Sequence, residues 1–191
     1  MIPIYRAAVD VQQLCIERAW PYCFIGGLVL PRWGQARYTR DADLTVFTGF
    51  GSEEDFVDVL LARFDARGSD AREFALHARV LLLQHSNGVP VDVALGALPF
   101  EAHAVERSSL WHAAEGVDLR TCCDEALIVH KTFAGRPHDW GDAESIIRRQ
   151  RSNLDLDLIF SELEPLLALK EQPELVEQLR ALFRKHGVPA S

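Results

Sequence analysis

What this 191-residue chain has little of narrows the field first. Its four cysteines, Cys15, Cys23, Cys122 and Cys123, form no C-x-x-C pair, and adjacent cysteines rarely bridge each other. No disulfide framework or zinc knuckle can be built from them, and they read as buried thiols of a reducing compartment. Apolar runs such as Leu28 to Leu30 and Ala126 to Val129 fall far short of the roughly 20 residues that a bilayer-spanning helix needs. The opening MIPIYRAAVDVQQL lacks the basic head and apolar stretch of a secretory signal, so a cytoplasmic protein with no membrane partner is expected. Positive charge is also short. Lys and Arg number 20 against 28 Asp and Glu, a net charge of −8 that argues against a general nucleic-acid coat protein. RRQR at 148–151 and RALFRKH at 180–186 are local basic exceptions, of the kind that solvated helix faces usually carry. The histidines at 77, 85, 103, 112, 130, 138 and 186 fall in no metal-binding spacing, and G-x-S-x-G, G-x-G-x-x-G and P-loop motifs are missing. Hydrolase-triad, dinucleotide and P-loop chemistries therefore find no support.

What is present suffices for a folded α/β protein: 48% of residues are hydrophobic and 25% charged, enough for one good core and a small second subdomain. Apolar spacing over residues 4–19 (Ala8, Val11, Leu14 or Cys15, Ala19) predicts an opening helix. YCFIGG reads as a short strand closed by glycines, Pro31 and Gly34 mark a break, and DADLTVF alternates as a strand does. SEEDFVDVLLARFDARG predicts a helix capped by Ser52 and stopped at Gly68. ARVLLLQHSNGVPVDVALG predicts two strands around Asn87-Gly88, which puts Asp92 on a central strand. From Thr121 onward, CDEALIVHKTFAG, DWGDAESIIRRQR, LDLIFSELEPLLALK and PELVEQLRALFRKHG all carry helical periodicity. The expected architecture is α/β (α+β): a small mixed-sheet palm over 1–120 with helices on one side, then a helical bundle over 121–191. The junction at 107–121 has no linker composition, so the two parts are expected to pack together around a nucleotide cleft.

The chemistry centres on FIGGLVLPRWGQARYTRDADLTVF at 24–47, where Gly26 and Gly27 precede Asp41 and Asp43. Residues two apart on a strand share a face at about 7 Å, so Asp41 and Asp43 can share a cation, with Asp92 supplying a third oxygen from a neighbouring strand. Oxygen ligands without histidine or cysteine favour Mg2+ or Mn2+, and glycines let backbone N–H groups approach a phosphate. Competing structural readings exist for each residue. A glycine pair is commonly a turn, Asp41 and Asp43 could be solvent-facing strand acids, and Lys131 could snorkel from an amphipathic helix. Asp139 and Asp142 lie where acids cap a helix, and the capping reading is preferred for Asp142. Asp92, set between valines, is the hardest to explain without a positive partner. NLDLDLIF at 153–160 repeats the D-x-D pattern with no glycine pair before it, and is expected to be a helix start rather than a metal site.

Taken in order, Gly26-Gly27, RDADL and VDV resemble the signature of the polymerase-beta type nucleotidyltransferase superfamily. ARYTRDADL is similar to the form found in minimal bacterial members related to abortive-infection toxins of toxin–antitoxin pairs, and the stretch LIVHKTFAGRPHDWGDAESII is similar to their later helical motif. The resemblance spans about residues 20–170, with His138 standing where relatives carry Lys or Arg. It implies Mg2+ or Mn2+ on Asp41, Asp43 and Asp92, and a nucleoside triphosphate contacted by Gly26, Gly27 and Lys131. Asp139 would be a catalytic or structural acid, and Arg37 and Thr39 would brace the first motif. The implied reaction moves a nucleotide monophosphate to an acceptor hydroxyl, on an RNA end or elsewhere, with an antitoxin as partner in the toxin branch. Rival readings are a catalytically silent nucleotide- or partner-binding module and an antibiotic-type small-molecule transferase.

Overall fold

The computed structural model describes residues 2–189. Helix α1 (Pro3–Glu17) begins on a proline, whose fixed φ suits a first helical turn, and buries Ala7, Ala8, Val11, Leu14 and Cys15 as one stripe. Strand β1 (Tyr22–Ile25), the short helix α2 (Leu30–Trp33) and strand β2 (Ala42–Phe47) follow. Then come α3 (Glu53–Arg63), β3 (Asp65–Ala66), α4 (Ala71–Ala78), β4 (Val80–Gln84) and β5 (Pro90–Gly96). Helix α5 (Pro99–Glu106) and strands β6 (Ser109–Ala114) and β7 (Val117–Thr121) precede α6 (Asp124–Ala134), α7 (Pro137–Gln150), α8 (Leu156–Leu169) and α9 (Glu174–Lys185).

The strands form one mixed sheet in the order β3-β4-β5-β2-β1-β7-β6. β2 runs antiparallel to β1 and parallel to β5, which places Asp43 directly beside Asp92. β4 and β5 make the expected hairpin: Gly88 takes φ +85°, open to glycine at little cost, and Asn87 Oδ1 accepts from Val89 N at 3.1 Å. Along β5, Val91, Val93 and Leu95 are buried while Asp92 is half-buried, so the period of two sends the carboxylate to the face opposite the apolar set. Full burial of a side chain such as Leu44 or Val93 is worth about 2 kcal/mol.

The residues up to Leu28, with Tyr38–Cys122, form one compact unit that carries the sheet. Val29–Arg37 and the residues from Cys123 onward form a second, helical unit. Inside the second unit α6 packs on α7 and α8, α2 on α7, and α8 on α9, with Ile128, Ile146, Ile147, Leu163 and Phe183 fully buried. All four helices expected after Thr121 are present. No helix among the described residues is long and apolar enough to cross a membrane.

Several local expectations are corrected. The helix after Ser52 stops at Arg63, not Gly68, because Phe64 turns extended and Asp65–Ala66 pair with Leu83–Gln84 as an edge strand. Ser52 does not cap that helix with its side chain: its hydroxyl donates to Thr48 O, and the Glu53 carboxylate accepts from Gly51 N instead. Pro31 begins a helical turn where a break was expected, as a proline near a helix start can. Helices α4 and α5 and the β6–β7 hairpin lie outside the sequence expectation; Val117, Leu119 and Thr121 alternate inward as a strand across the expected junction at 107–121.

At NLDLDLIF, Asp155 is the N-cap of α8, accepting from Leu158 N at 3.0 Å, and Asp157 is exposed in the first turn. Asp155→Ala should therefore lower stability by about 1 kcal/mol in a denaturant melt, and Asp155→Asn by a few tenths. Neither exchange should change metal affinity, which titration of the folded variants would show.

Candidate active site

Asp41 lies one residue before β2, Asp43 within it and Asp92 on β5, and all three are half-buried. Each offers a carboxylate oxygen within 4.8 Å of the others. The cause is register: Asp41 and Asp43 share a face through the strand period, and the parallel ladder sets Asp92 against Asp43.

Each acid is held differently. Thr39 Oγ1 donates to Asp41 Oδ1 at 2.9 Å. Asp43 packs on Gly26, which follows Ile25, the β1 partner of Asp43. A Cβ at position 26 would fall 2.0 Å from Asp43 Oδ2, and Gly26 also takes φ +68°. The missing side chain at position 26 is thus filled by the aspartate. Gly27 lies in the 3-10 turn that runs Gly26–Val29. Asp92 Oδ1 accepts from Arg67 Nη2, with side chains 28% and 30% exposed. Arg67 follows β3, and its backbone N donates to Leu82 O, the β4 partner of Asp92. Burial pushes the Asp92 carboxyl up; the Arg67 charge draws it back, and the Asp41 charge pushes it up further.

This donor set fits a small divalent cation. It is all oxygen, and the spacing is comparable to the span across one ion with metal–oxygen bonds of about 2.1 Å. Burial is the main reason the Asp92 carboxyl sits above its ordinary value, since Arg67 draws it down by more than Asp41 pushes it up.

The later helical motif forms a separate network inside the helical unit. Lys131 Nζ bonds Asp139 Oδ1 at 3.0 Å and Asp142 Oδ2 at 2.8 Å, its side chain only 6% exposed. Arg37 grips Asp142 bidentately, Nε to Oδ1 and Nη2 to Oδ2, both at 2.8 Å. Arg136 Nε bonds Asp139 Oδ2 at 2.6 Å, and Asp139 is fully buried. Asp142 lies past the first turn of α7, so the capping role expected of it gives way to ion pairing. Burial works to raise both carboxyls, but hydrogen bonds from Arg136 and Lys131 hold Asp139, and those from Arg37 and Lys131 hold Asp142, below the ordinary value.

Sequence reasoning missed Arg67, because DARG was assigned to a helix tail. It also left Asp142 out of the ion-pair network, although its spacing of eleven residues from Lys131 held the signal.

Removing Lys131 would take the buried ammonium from both acids and leave Asp139 to Arg136 and Asp142 to Arg37, so Lys131→Met should cost about 3 kcal/mol at pH 8. In the wild type both carboxyls lie below 3.8, so their stabilisation is full above that pH and lost only as pH falls through the lowered values. In the variant each carboxyl keeps its guanidinium but loses the ammonium, so both would be lowered less, and the deficit should shrink as pH falls into the carboxylate range. Paired denaturant melts at several pH values read this out; an unchanged stability at pH 8 would mean that Lys131 is not holding the acids.

No protein-family model matches the sequence, and no curated protein matches it. Solved structures do share its fold. An antigenic nucleotidyltransferase-like protein from Paracoccidioides brasiliensis superposes with a TM-score of 0.53 at 15% identity, over 93% of this chain and 92% of that one. The antibiotic-resistance factor ANT(2'')-Ia superposes with a TM-score of 0.50 at 20% identity, over 93% of this chain and 96% of that one. The seven-stranded mixed sheet with its helices is the fold of these nucleotidyltransferase-type proteins.

Proposed function

We propose that this chain is a nucleotidyltransferase that moves a nucleotide monophosphate from a nucleoside triphosphate to an acceptor hydroxyl. The observation that carries this reading is the cluster of Asp41, Asp43 and Asp92, three carboxylates from adjacent strands of a fold shared with nucleotidyltransferase-type proteins. The acceptor hydroxyl gives up its proton, to a carboxylate beside it or to water, as its oxygen bonds to the α-phosphorus; the bond from that phosphorus to the oxygen bridging to the β-phosphorus breaks, and pyrophosphate leaves with the electron pair. Asp41, Asp43 and Asp92 would hold Mg2+ or Mn2+, which supplies Lewis-acid stabilisation of the charge developing on the phosphate oxygens.

The chain's own groups orient the rest. Thr39 fixes the rotamer of Asp41, and Gly26 admits the Asp43 carboxylate against its backbone. Asp92 is assigned to the attacking hydroxyl. Gly27, in the turn after β1, offers backbone N–H to a phosphate. Arg37 and Asp139 are assigned to holding the helical motif, since each is committed to a short ion pair. Lys131 would reach a triphosphate only by leaving both of its carboxylates.

Two acceptor classes remain in the proposal. An RNA end fits the exposed arginines of RRQR, and a toxin paired with an antitoxin is the form that reading takes. A small molecule is the alternative favoured by the near full-length fold match to an antibiotic-resistance factor.

Incubation with each nucleoside triphosphate, Mg2+ or Mn2+, and either total RNA or a panel of hydroxyl-bearing antibiotics should release pyrophosphate and label one acceptor class. Asp41→Asn and Asp43→Asn should each lower the rate by about 100-fold or more while the protein stays folded. Full activity in folded variants, or no pyrophosphate with any triphosphate and acceptor, would sink the reading in favour of a silent binding module.

A further inference from the structure

Arg67 and Arg37 both pair with an aspartate, and the difference between them is informative. Arg37 makes a two-bond fork with Asp142 at 2.8 Å on each arm. Arg67 meets Asp92 through Nη2 alone, while its Nε is buried with no hydrogen-bond partner among the described residues. A buried N–H without an acceptor is a cost that the fork avoids, so the Arg67 contact is the less tightly determined of the two. The two arginines are similarly exposed, 30% for Arg67 and 37% for Arg37, but Asp92 is 28% exposed against 7% for Asp142. Few backbone ladder bonds hold the position: Arg67 follows a two-residue edge strand and precedes Gly68, whose φ of +125° favours glycine.

We propose that Arg67 is a displaceable counter-ion of the carboxylate cluster: it neutralises Asp92 when no cation is bound and is exchanged for a divalent cation when one arrives. This rests on the reading that Asp41, Asp43 and Asp92 bind such a cation. Three carboxylates within 4.8 Å repel each other in the metal-free protein, and a guanidinium on Asp92 relieves part of that repulsion. The same guanidinium competes with the cation for Asp92. Arg67 thereby exchanges cation affinity for metal-free stability, and by linkage the two must change by the same free energy.

The test compares wild type, Arg67→Gln and Arg67→Lys for Mn2+ affinity, by the electron paramagnetic resonance signal of unbound Mn2+, and for stability, by urea melts with and without saturating Mn2+. Arg67→Gln should bind Mn2+ about tenfold tighter than wild type, about 1.4 kcal/mol. It should be less stable than wild type without Mn2+ and regain parity with it. Arg67→Lys, which keeps the charge, should lie between them in affinity. If Arg67→Gln folds only on addition of Mn2+, that is the same result in stronger form. A deficit that persists at saturating Mn2+, an Mn2+ affinity that is unchanged or weaker, or a variant that folds in neither condition would make Arg67 a fixed brace and overturn the proposal. Wild-type protein that binds no Mn2+ would overturn it together with the metal reading of the cluster, whereas binding without this coupling overturns the proposal alone.

Discussion

Like charge confined to a small space is the constraint around which the sheet unit is arranged. β2 and β5 are driven together by Val46, Val93 and their buried neighbours, and the parallel register then brings Asp43 and Asp92 side by side whether or not their charges agree. Hydrophobic burial of several side chains, each worth about 2 kcal/mol, outweighs the repulsion that register creates. Thr39 on Asp41, Gly26 beneath Asp43 and Arg67 on Asp92 are three separate local answers to that imposed crowding.

The two acidic groupings of the molecule differ in how far their charge is answered. Around Asp139 and Asp142, two guanidinium groups and an ammonium over-answer it, and both carboxyls are held below their ordinary value despite burial. At Asp92, burial and Asp41 together outweigh Arg67, and the carboxyl is held above it. The first is a completed ionic network, which costs free energy to open and which therefore fixes helices. The second sets three carboxylates within 4.8 Å of one another with Arg67 on Asp92, and among the described residues no ring of cations closes around it in the way that Arg37, Lys131 and Arg136 close around the first.

Much of this was legible in the residue order, for reasons that can be named. Long helices after Thr121 announce themselves because a 3.6-residue period sustained over a dozen positions has few rivals, and Asn87-Gly88 announces a hairpin because few residue pairs tolerate its dihedrals. The carboxylate trio was legible because D-x-D and V-D-V are strand patterns whose spacing survives folding. Arg67 was not, since its place depends on a two-residue strand too short to leave a pattern, and on pairing with Leu82 across the sheet. Helix α5 escaped because much of its start is secured by the Glu101 carboxylate, which accepts from Ala97 and Leu98 N, a device with no period to detect. Helix α4 escaped because it is only eight residues long.

The contact between Gly26 and Asp43 has a further meaning in terms of heredity. A glycine is usually kept for the conformation it permits, and here φ +68° is one such reason. Yet the space above it is also the seat of another residue's carboxylate, seventeen positions along the chain. A mutation at position 26 would therefore be felt first as a displaced acid on β2, and a smaller side chain at position 43 would relax the demand for glycine only at the expense of the cluster. The two positions form a single inherited character: across descendants of this sequence they should persist together or be lost together.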